Sequence, residues 1–468
     1  MPTRSARSPI PRLLTAAILA LALLTPAAAR AQTEVALSLP EARELAVYAL
    51  NAGKPDLAIQ VAEGLLQADG GDAVAWFVIA SAHAQANRPR EGRRAAAQAY
   101  RFSPPGPDRL QAAQMAARMA YAENRYSLAQ LWLRRTALHV ASEEERAQLA
   151  EDYRLLRRIN PWAFRLQVDL SPSNNVNNGA DTALQIIDGV PVIGALSGEA
   201  QALSGLIGTA DLDLSYRLRA NATSATTLAG RLYLQRVALS DSAQEKAPRA
   251  RGSDFASTYA EAALSHGFAV GAQGGSALIE AAGGESWWAG TRSYRFGRLR
   301  LERAWLIGSD SLVRLSGSAE RRFMAFYAVN DARILGFGGQ FSRVLGNGDR
   351  LTLSMALRDS QAESINGTFW SASLRAAYAF DQRFGPLRLS AGLTLGYSDY
   401  PEYRSGYFMV PGGRQDQSVY GDLSLFFDRL DYAGFAPMLR LRSGRKTSND
   451  SRFDTREITV SLGIESKF

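Results

Sequence analysis

From Trp162 onward, apolar residues recur at every second position in runs of roughly ten residues. Trp162, Phe164, Leu166, Val168 and Leu170 fall on one side of an extended strand, and Arg165, Gln167 and Asp169 on the other. The alternation returns in Leu212/Leu214/Tyr216/Leu218, Leu351/Leu353/Met355/Leu357, Leu387/Leu389/Ala391/Leu393/Leu395/Tyr397 and Ile458/Val460/Leu462/Ile464. A soluble sandwich hides its apolar face in a core and uses shorter strands. Strands of this length, apolar on one face and polar or charged on the other, predict a transmembrane antiparallel β-barrel. Aromatic residues at strand ends (Trp162, Trp287, Trp288, Trp305, Phe380, Tyr397, Tyr400, Phe426, Phe427) suit the two interfaces, where an amphipathic ring sits at headgroup depth.

The connections set the strand number. Short turns at 308–310, 346–349, 381–386 and 430–435 alternate with longer polar loops near 359–367, 398–416 and 443–456. Outer-membrane barrels alternate in this way between periplasmic and outer ends. Counting back from a last strand at about 457–468 that descends to the periplasm puts every short turn on the periplasmic side. Fifteen segments read as strands, but an even number is needed when both ends of the barrel are periplasmic. The weak stretch 252–298 is where two short candidates are expected to merge, leaving fourteen.

Before Asn160-Pro161 the period is 3.6 instead of 2. From about Leu39 to Arg158 the chain is rich in Ala, Leu, Glu, Gln and Arg at helical spacing. Trp76, Ile79, Ala80, His83, Gly92, Ala96, Ala99 and Pro104 fall where a tetratricopeptide repeat places its signature residues. A second copy lies 34 residues earlier (Ala42, Leu45, Ala46, Ala49, Ala58, Ala62, Leu65, Gly70) and a third 37 residues later, around Asn124–Ala129. Antiparallel helices need small residues where they cross, and Ala58, Gly92 and Ala129 occupy that position. Three stacked pairs predict a short superhelix with a concave face suited to peptide or protein. Candidate client-binding residues there are Tyr48, Trp76, Phe77, His83, Tyr100 and Tyr121, with core packing as the alternative for each aromatic. His139 reads as a helix-surface residue, and Ser142 as the N-cap of a last helix beginning Glu143–Arg146.

Residues 1–31 carry a basic start (Arg4, Arg7, Arg12), an apolar run Leu13–Leu24 and Ala29-Arg30-Ala31, the pattern of a cleaved export signal. The segment holds four arginines and no acids, so its removal lowers the formal net charge from +8 to about +4. No basic stripe then points to nucleic acid. The sequence has no cysteine and three histidines (His83, His139, His266), which leaves no disulfide framework, thiolate metal site or cysteine nucleophile. A mean hydropathy of −0.15, with no later long apolar run, excludes a polytopic helical membrane protein. Walker A, H-E-x-x-H and G-x-S-x-G motifs are absent. Asp211, Asp213, Arg217, Arg219, Arg298, Arg300 and Glu302 read as a charged lumen wall. The expectation is therefore a multi-domain α + β chain without cofactor or metal and without enzymatic activity. Its parts are a signal peptide (1–31), a periplasmic tetratricopeptide-like domain (32–158) and an outer-membrane barrel (159–468).

Two further features carry a resemblance. Asn160-Pro161-Trp162 leads into the first strand, which is followed by Ser171-Pro172-Ser173-Asn174-Asn175-Val176-Asn177-Asn178. With the domain order, this resembles the Slam family, the surface lipoprotein assembly modulators, whose P-x-S-N-I-N segment follows the first strand. Pro172, Asn174, Asn175, Val176 and Asn177 match it, with Asn174 replacing Ser and Val176 replacing Ile. The terminal Phe468, with Gly463 five positions earlier, resembles the signal read by the barrel assembly machinery, although Ser466 stands where an apolar residue is usual. The resemblance implies a translocon that moves client proteins, surface lipoproteins or haemophores, from periplasm to cell surface. Its implied partners are the client, the assembly machinery and outer-membrane lipid. The Asn cluster also admits a structural reading, because Asn tolerates left-handed turns. Two other functions compete with this one: an exopolysaccharide exporter, which joins more repeats to a barrel, and a solute porin, which leaves the helical half unexplained.

Overall fold

A computed structural model describes residues 37–466, apart from 141, 272–273, 431 and 433–434. The proposed export signal and Phe468 lie outside the described residues. Seven helices come first: α1 Leu39–Asn51, α2 Pro55–Ala68, α3 Ala73–Gln85, α4 Pro89–Phe102, α5 Pro107–Ala122, α6 Tyr126–Thr136 and α7 Glu143–Ile159. They pair as the three expected hairpins, with α7 packed on the last. Each hairpin turn holds one left-handed residue: Gly53 (φ 68°), Asn87 (φ 53°) and Asn124 (φ 58°). After each, an N–H reaches back six residues inclusively, from Lys54, Arg88 and Arg125 to the carbonyls of Ala49, His83 and Ala120. That is the Schellman termination, which recruits Gly or Asn for its left-handed position.

Small residues let the helices touch. Ala58, Gly92 and Ala129 are buried at the crossings. A Cβ on Gly92 would stand 3.1 Å from Met119 Sδ and 3.2 Å from the Ala80 carbonyl. Their neighbours Ala46, Ala62, Ala96, Ala116 and Ala120 form one continuous core with Ile79, Trp132, Leu149 and Leu156. Ser142 caps α7 as read from sequence, its Oγ accepting the Glu145 N–H at 3.1 Å. His139 departs from expectation. It lies in the turn after α6, its ring 5.7 Å from Tyr100 and its Nε2 3.3 Å from the Tyr100 hydroxyl, because α6 ends at Thr136 and folds the turn back onto α4.

The remainder closes into a fourteen-stranded antiparallel barrel: β1 Trp162–Ser173, β2 Gly205–Ala220, β3 Ser224–Leu239, β4 Ser257–Val270, β5 Gly275–Trp288, β6 Thr291–Ile307, β7 Ser311–Met324, β8 Ala332–Val344, β9 Arg350–Ala362, β10 Phe369–Ala379, β11 Arg388–Tyr400, β12 Arg414–Phe426, β13 Phe435–Ser448 and β14 Thr455–Ser466. Each strand pairs with its sequence neighbours, and β1 meets β14. Strands run longer than expected, from 11 to 17 residues. The number fourteen holds, but the reasoning at 252–298 does not. That stretch contains two complete strands and the start of a third, hidden because Gly and Ala occupy many outward positions. Two short hairpins lie outside the barrel, 184–187 with 190–195 in the β1–β2 loop and 404–405 with 408–409 in the β11–β12 loop.

The outward face carries Phe164, Leu166, Val168 and Leu170 on β1, Leu299 and Leu301 on β6 and Leu462 and Ile464 on β14, all exposed. An apolar exterior of this kind is what hydrocarbon covers. Inside, charges pair between adjacent strands or across one intervening strand. Arg231 binds Asp211 at 2.8 Å, Arg298 binds Glu261 at 2.8 Å with Glu280 and Glu320 farther off, and Arg375 binds Asp422 at 2.6 Å. Arg165 pairs with Asp213.

Candidate functional site

All six strand connections at the helical-domain end are short, between three and eight residues, whereas the opposite end carries the 31-residue segment 174–204. The helical domain is fastened to its end of the barrel through three side chains. Asn160, 5% exposed, accepts the Trp162 N–H at 3.1 Å and donates to Gln130 Oε1 at 2.7 Å and Ser127 Oγ at 3.1 Å. Arg217, on β2, donates to the carbonyls of Arg158, Ile159 and Asn160 at 2.7, 2.8 and 3.2 Å. Those are the free carbonyls at the end of α7, where a cation is favoured by the helix dipole. Arg134, on α6, stacks over Phe435 of β13 at 4.4 Å and donates to the Tyr153 hydroxyl at 2.9 Å. Read from sequence, Arg217 belonged to the lumen wall; its junction role depends on a partner 57–59 residues away and has no local signature.

Beside this junction lies a cleft of about 750 Å³. Arg134, Tyr153 and Arg157 of the helical domain line one wall, and Trp162, Phe164 and Arg165 of β1 the other. A second hollow of about 560 Å³ lies between α5, α6 and α7, lined by Arg118, Tyr121, Leu133, Gln148 and Leu155 among others. Of the six candidate client-binding residues, Tyr121 alone lines it. Tyr48 is 70% exposed on α1. Trp76, Phe77 and Tyr100 pack against the helical core, Trp76 also donating its ring N–H to the Gly70 carbonyl at 3.0 Å. His83 lies half-buried on α3, its Nδ1 without a hydrogen-bond partner. The six lie on four helices: Tyr48 on α1, Trp76, Phe77 and His83 on α3, Tyr100 on α4 and Tyr121 on α5.

The Asn segment is tied down residue by residue. Asn174 Oδ1 accepts the Ile458 N–H at 3.0 Å, and its Nδ2 donates to the Arg456 carbonyl at 3.3 Å. Asn175 exchanges two bonds with Gly179, at 2.9 and 2.8 Å. Asn177 donates to the carbonyls of Glu199 and Gln201 and accepts the Leu203 N–H. Val176 is 5% exposed, packed with Leu203, Ala243, Ala247 and Ala250. Pro172 is still within β1, opposite Leu206. Gly463 sits on β14 opposite Asp169, where a Cβ would meet Asp169 Oδ1 at 2.2 Å and the Val168 carbonyl at 3.2 Å. His266 accepts or donates at Thr226 Oγ1, 2.9 Å away, and stacks on Phe268. Among the described residues no cluster of His, Asp and Glu is placed to hold a metal ion.

The two helical-domain histidines have a measurable consequence. Burial lowers the pKa of both His83 and His139, with Arg88 adding to the first and Arg109 to the second. The folded state then binds fewer protons than the unfolded state around the ordinary imidazole pKa of about 6.5. Their stabilising contribution is complete above that value and is lost as pH falls through the lowered folded pKa. Melting of the far-UV helical signal, which comes mainly from α1–α7, should shift to lower temperature from pH of about 7.5 to about 5.5. The double substitution His83→Gln, His139→Gln should flatten that dependence; an unchanged slope would show that other groups govern it.

The chain matches no protein-family model and no curated protein. Among solved structures it is similar to the first TPR domain of human RPAP3, at 16% identity over 26% of this chain and 91% of that one, with a TM-score of 0.23. It is also similar to a loop-deleted OmpT, an outer membrane protein of Vibrio cholerae, at 11% identity over 66% of this chain and 99% of that one, TM-score 0.34. A third similarity is to OccAB3 of Acinetobacter baumannii, at 9% identity over 64% and 98%, TM-score 0.34.

Proposed function

We propose that this protein is an outer-membrane translocon, with its helical domain in the periplasm, that passes an exported client protein to the cell surface. The observation that carries this reading is the junction. A repeat domain of the kind that holds polypeptide is fastened to one end of the barrel by Asn160, Arg217 and Arg134. A solute pore has no use for such a domain at its entrance. The barrel supplies a wall that satisfies its own backbone in lipid, and its lumen is lined by paired charges that keep it hydrated. The short-turn end faces the periplasm in this reading, so the helical domain meets the client first. The resemblance of Pro172–Asn177 to the Slam segment names the class of client, a surface lipoprotein or haemophore. Assembly machinery and outer-membrane lipid are the further partners.

The test is surface protease accessibility of the protein encoded next to this gene, in cells with and without it, with outer-membrane integrity controlled. Exposure that requires the gene is the expected result and identifies the client. Unchanged exposure with a fall in polymer or solute export would replace the reading with a conduit of another class.

A further inference from the structure

The charges of the lumen are matched on one wall and unmatched on another. On β3–β7, Arg231, Arg298, Arg300, Arg314 and Arg322 each lie within 4 Å of a carboxylate. On β9–β13, Arg350, Arg375, Arg440 and Arg442 line one pocket of about 500 Å³, whose lining holds a single carboxylate, Asp422. Arg375 donates to both Asp422 oxygens, at 2.6 and 2.9 Å. Arg442 reaches Glu457 of β14 at 3.9 Å and packs 4.5 Å over the Tyr420 ring. Among the described residues, Arg350 and Arg440 have no carboxylate within 4 Å.

Strand register gives this pocket its shape. Arg350, Ala379, Ser390, Ser424 and Arg440 stand opposite one another in a single row across β9–β13. The next row runs Thr352, Ala377, Gly392, Asp422 and Arg442. These positions alternate with the exposed Leu353, Leu393 and Leu441 of the lipid face, so they point into the lumen. Small residues thus make a floor, with arginines at both of its edges. Neighbouring strands lie about 4.8 Å apart, so Arg350 and Arg440 are rooted about 19 Å apart along the sheet. Gly392 lets the Arg375–Asp422 bridge lie across the floor, since a Cβ there would collide with Arg375 Nη2 and stand 2.8 Å from Asp422 Oδ1. The pocket belongs to the helical-domain end of the lumen, because Arg350 opens β9 directly after a short turn.

We propose that this pocket is an anion-binding site whose ligand carries two or more carboxylate or phosphate groups. Four guanidinium groups around one carboxylate repel one another, and a bound anion relieves that repulsion while adding its own attraction. The low-dielectric wall of the barrel focuses the field of such a cluster and raises the local concentration of anions. The guanidinium fork fits carboxylate and phosphate through two parallel hydrogen bonds. More than one charged group is required because Arg350 and Arg440 stand at opposite edges of the floor, where one small group meets only one of them. Asp422 holds Arg375 along the floor and lowers the charge of the pocket, which limits how tightly a passing anion is held. Ligands of this chemistry have two sources, a free solute anion or the acidic side chains of a polypeptide crossing the lumen. The site stands on the barrel alone and does not depend on the translocon reading.

The test is calorimetric titration of the full chain in detergent at low ionic strength, with pyrophosphate, citrate and a hexaglutamate peptide as probes. Saturable binding of at least one probe, weakening as KCl is raised, is expected. Arg350→Gln with Arg440→Gln should weaken it about tenfold or more. The outward pair Arg321→Gln with Arg445→Gln removes the same charge from the other face of the sheet and should leave binding unchanged. Asp422→Asn should tighten binding by freeing Arg375, an effect that loss of structure cannot produce. Heat-modifiable migration reads the folding of each variant. Arg350→Lys with Arg440→Lys keeps the charge without the fork, so it replaces the Gln pair if that pair does not fold, and it too should bind more weakly. Tighter binding of hexaglutamate than of either small anion assigns the site to acidic polypeptide, and the reverse order assigns it to a solute; both uphold the site. No saturable binding of any probe, or equal losses in the inward and outward pairs, overturns it.

Discussion

Removing residues 32–158 should leave a folded barrel in the outer membrane and abolish client display. The two halves are stabilised by separate means. The helical core runs from Ala46 to Leu156 and closes on itself. The barrel is closed by its own ladder, with β2–β3, β5–β6 and β8–β9 in register over nearly their whole lengths. What the deletion removes from the barrel is local: the Arg134 stack on Phe435, the Ser127 and Gln130 contacts of Asn160, and the Arg158 carbonyl that Arg217 holds. Each such contact contributes about 1 kcal/mol net, well short of what a fourteen-strand ladder supplies. Heat-modifiable migration of the truncated protein in an outer-membrane fraction should therefore match that of the full chain. Surface protease accessibility of the client should fall to the level of the gene deletion. Normal display by the truncated protein would remove the helical domain from the pathway and with it the proposed function.

Much of this architecture was legible because alternation is written within each strand. The β1 pattern Trp162-x-Phe164-x-Leu166 names the lipid face without reference to any neighbour, and the helix crossings at Ala58, Gly92 and Ala129 repeat at nearly fixed spacing. Relations between distant segments were not legible. Asn174 binds backbone more than 280 residues away, at Arg456 and Ile458. Arg217 looked like one more alternating charge because nothing near it announces the end of α7. Periodicity also weakens where Gly and Ala fill outward positions, as in Gly283 and Ala281 opposite Gly297 and Leu299, and there the strand count was reached by a wrong merger. One signal was available and unused. Gly53, Asn87 and Asn124 recur with the repeat and mark each hairpin turn directly.

The second large effect is expected at Gly463, which can be read as part of an assembly signal or as a packing requirement. Its position on β14 faces Asp169 across the seam, and a Cβ there would lie 2.2 Å from Asp169 Oδ1 and 3.2 Å from the Val168 carbonyl. The carboxylate can swing aside, although Asp169 also accepts a bond from Gln167 at 2.8 Å. The carbonyl belongs to the Val168↔Ile464 register and cannot move without loosening the β1–β14 seam. Ala should therefore be tolerated with modest loss. Val adds two methyl groups against the same wall, an overpacking that costs about 1–3 kcal/mol where the surroundings are fixed. Here that cost falls on the seam that closes the barrel, so Gly463→Val should sharply reduce folded, heat-modifiable barrel in the outer membrane. Asp169→Ala in the same chain frees the space the new side chain needs and should restore much of the loss. A recognition signal would behave differently, since emptying a site on β1 cannot repair a motif read on β14 before the barrel closes. Equal assembly defects with and without Asp169→Ala would therefore assign Gly463 to recognition rather than to the packing of the β1–β14 seam.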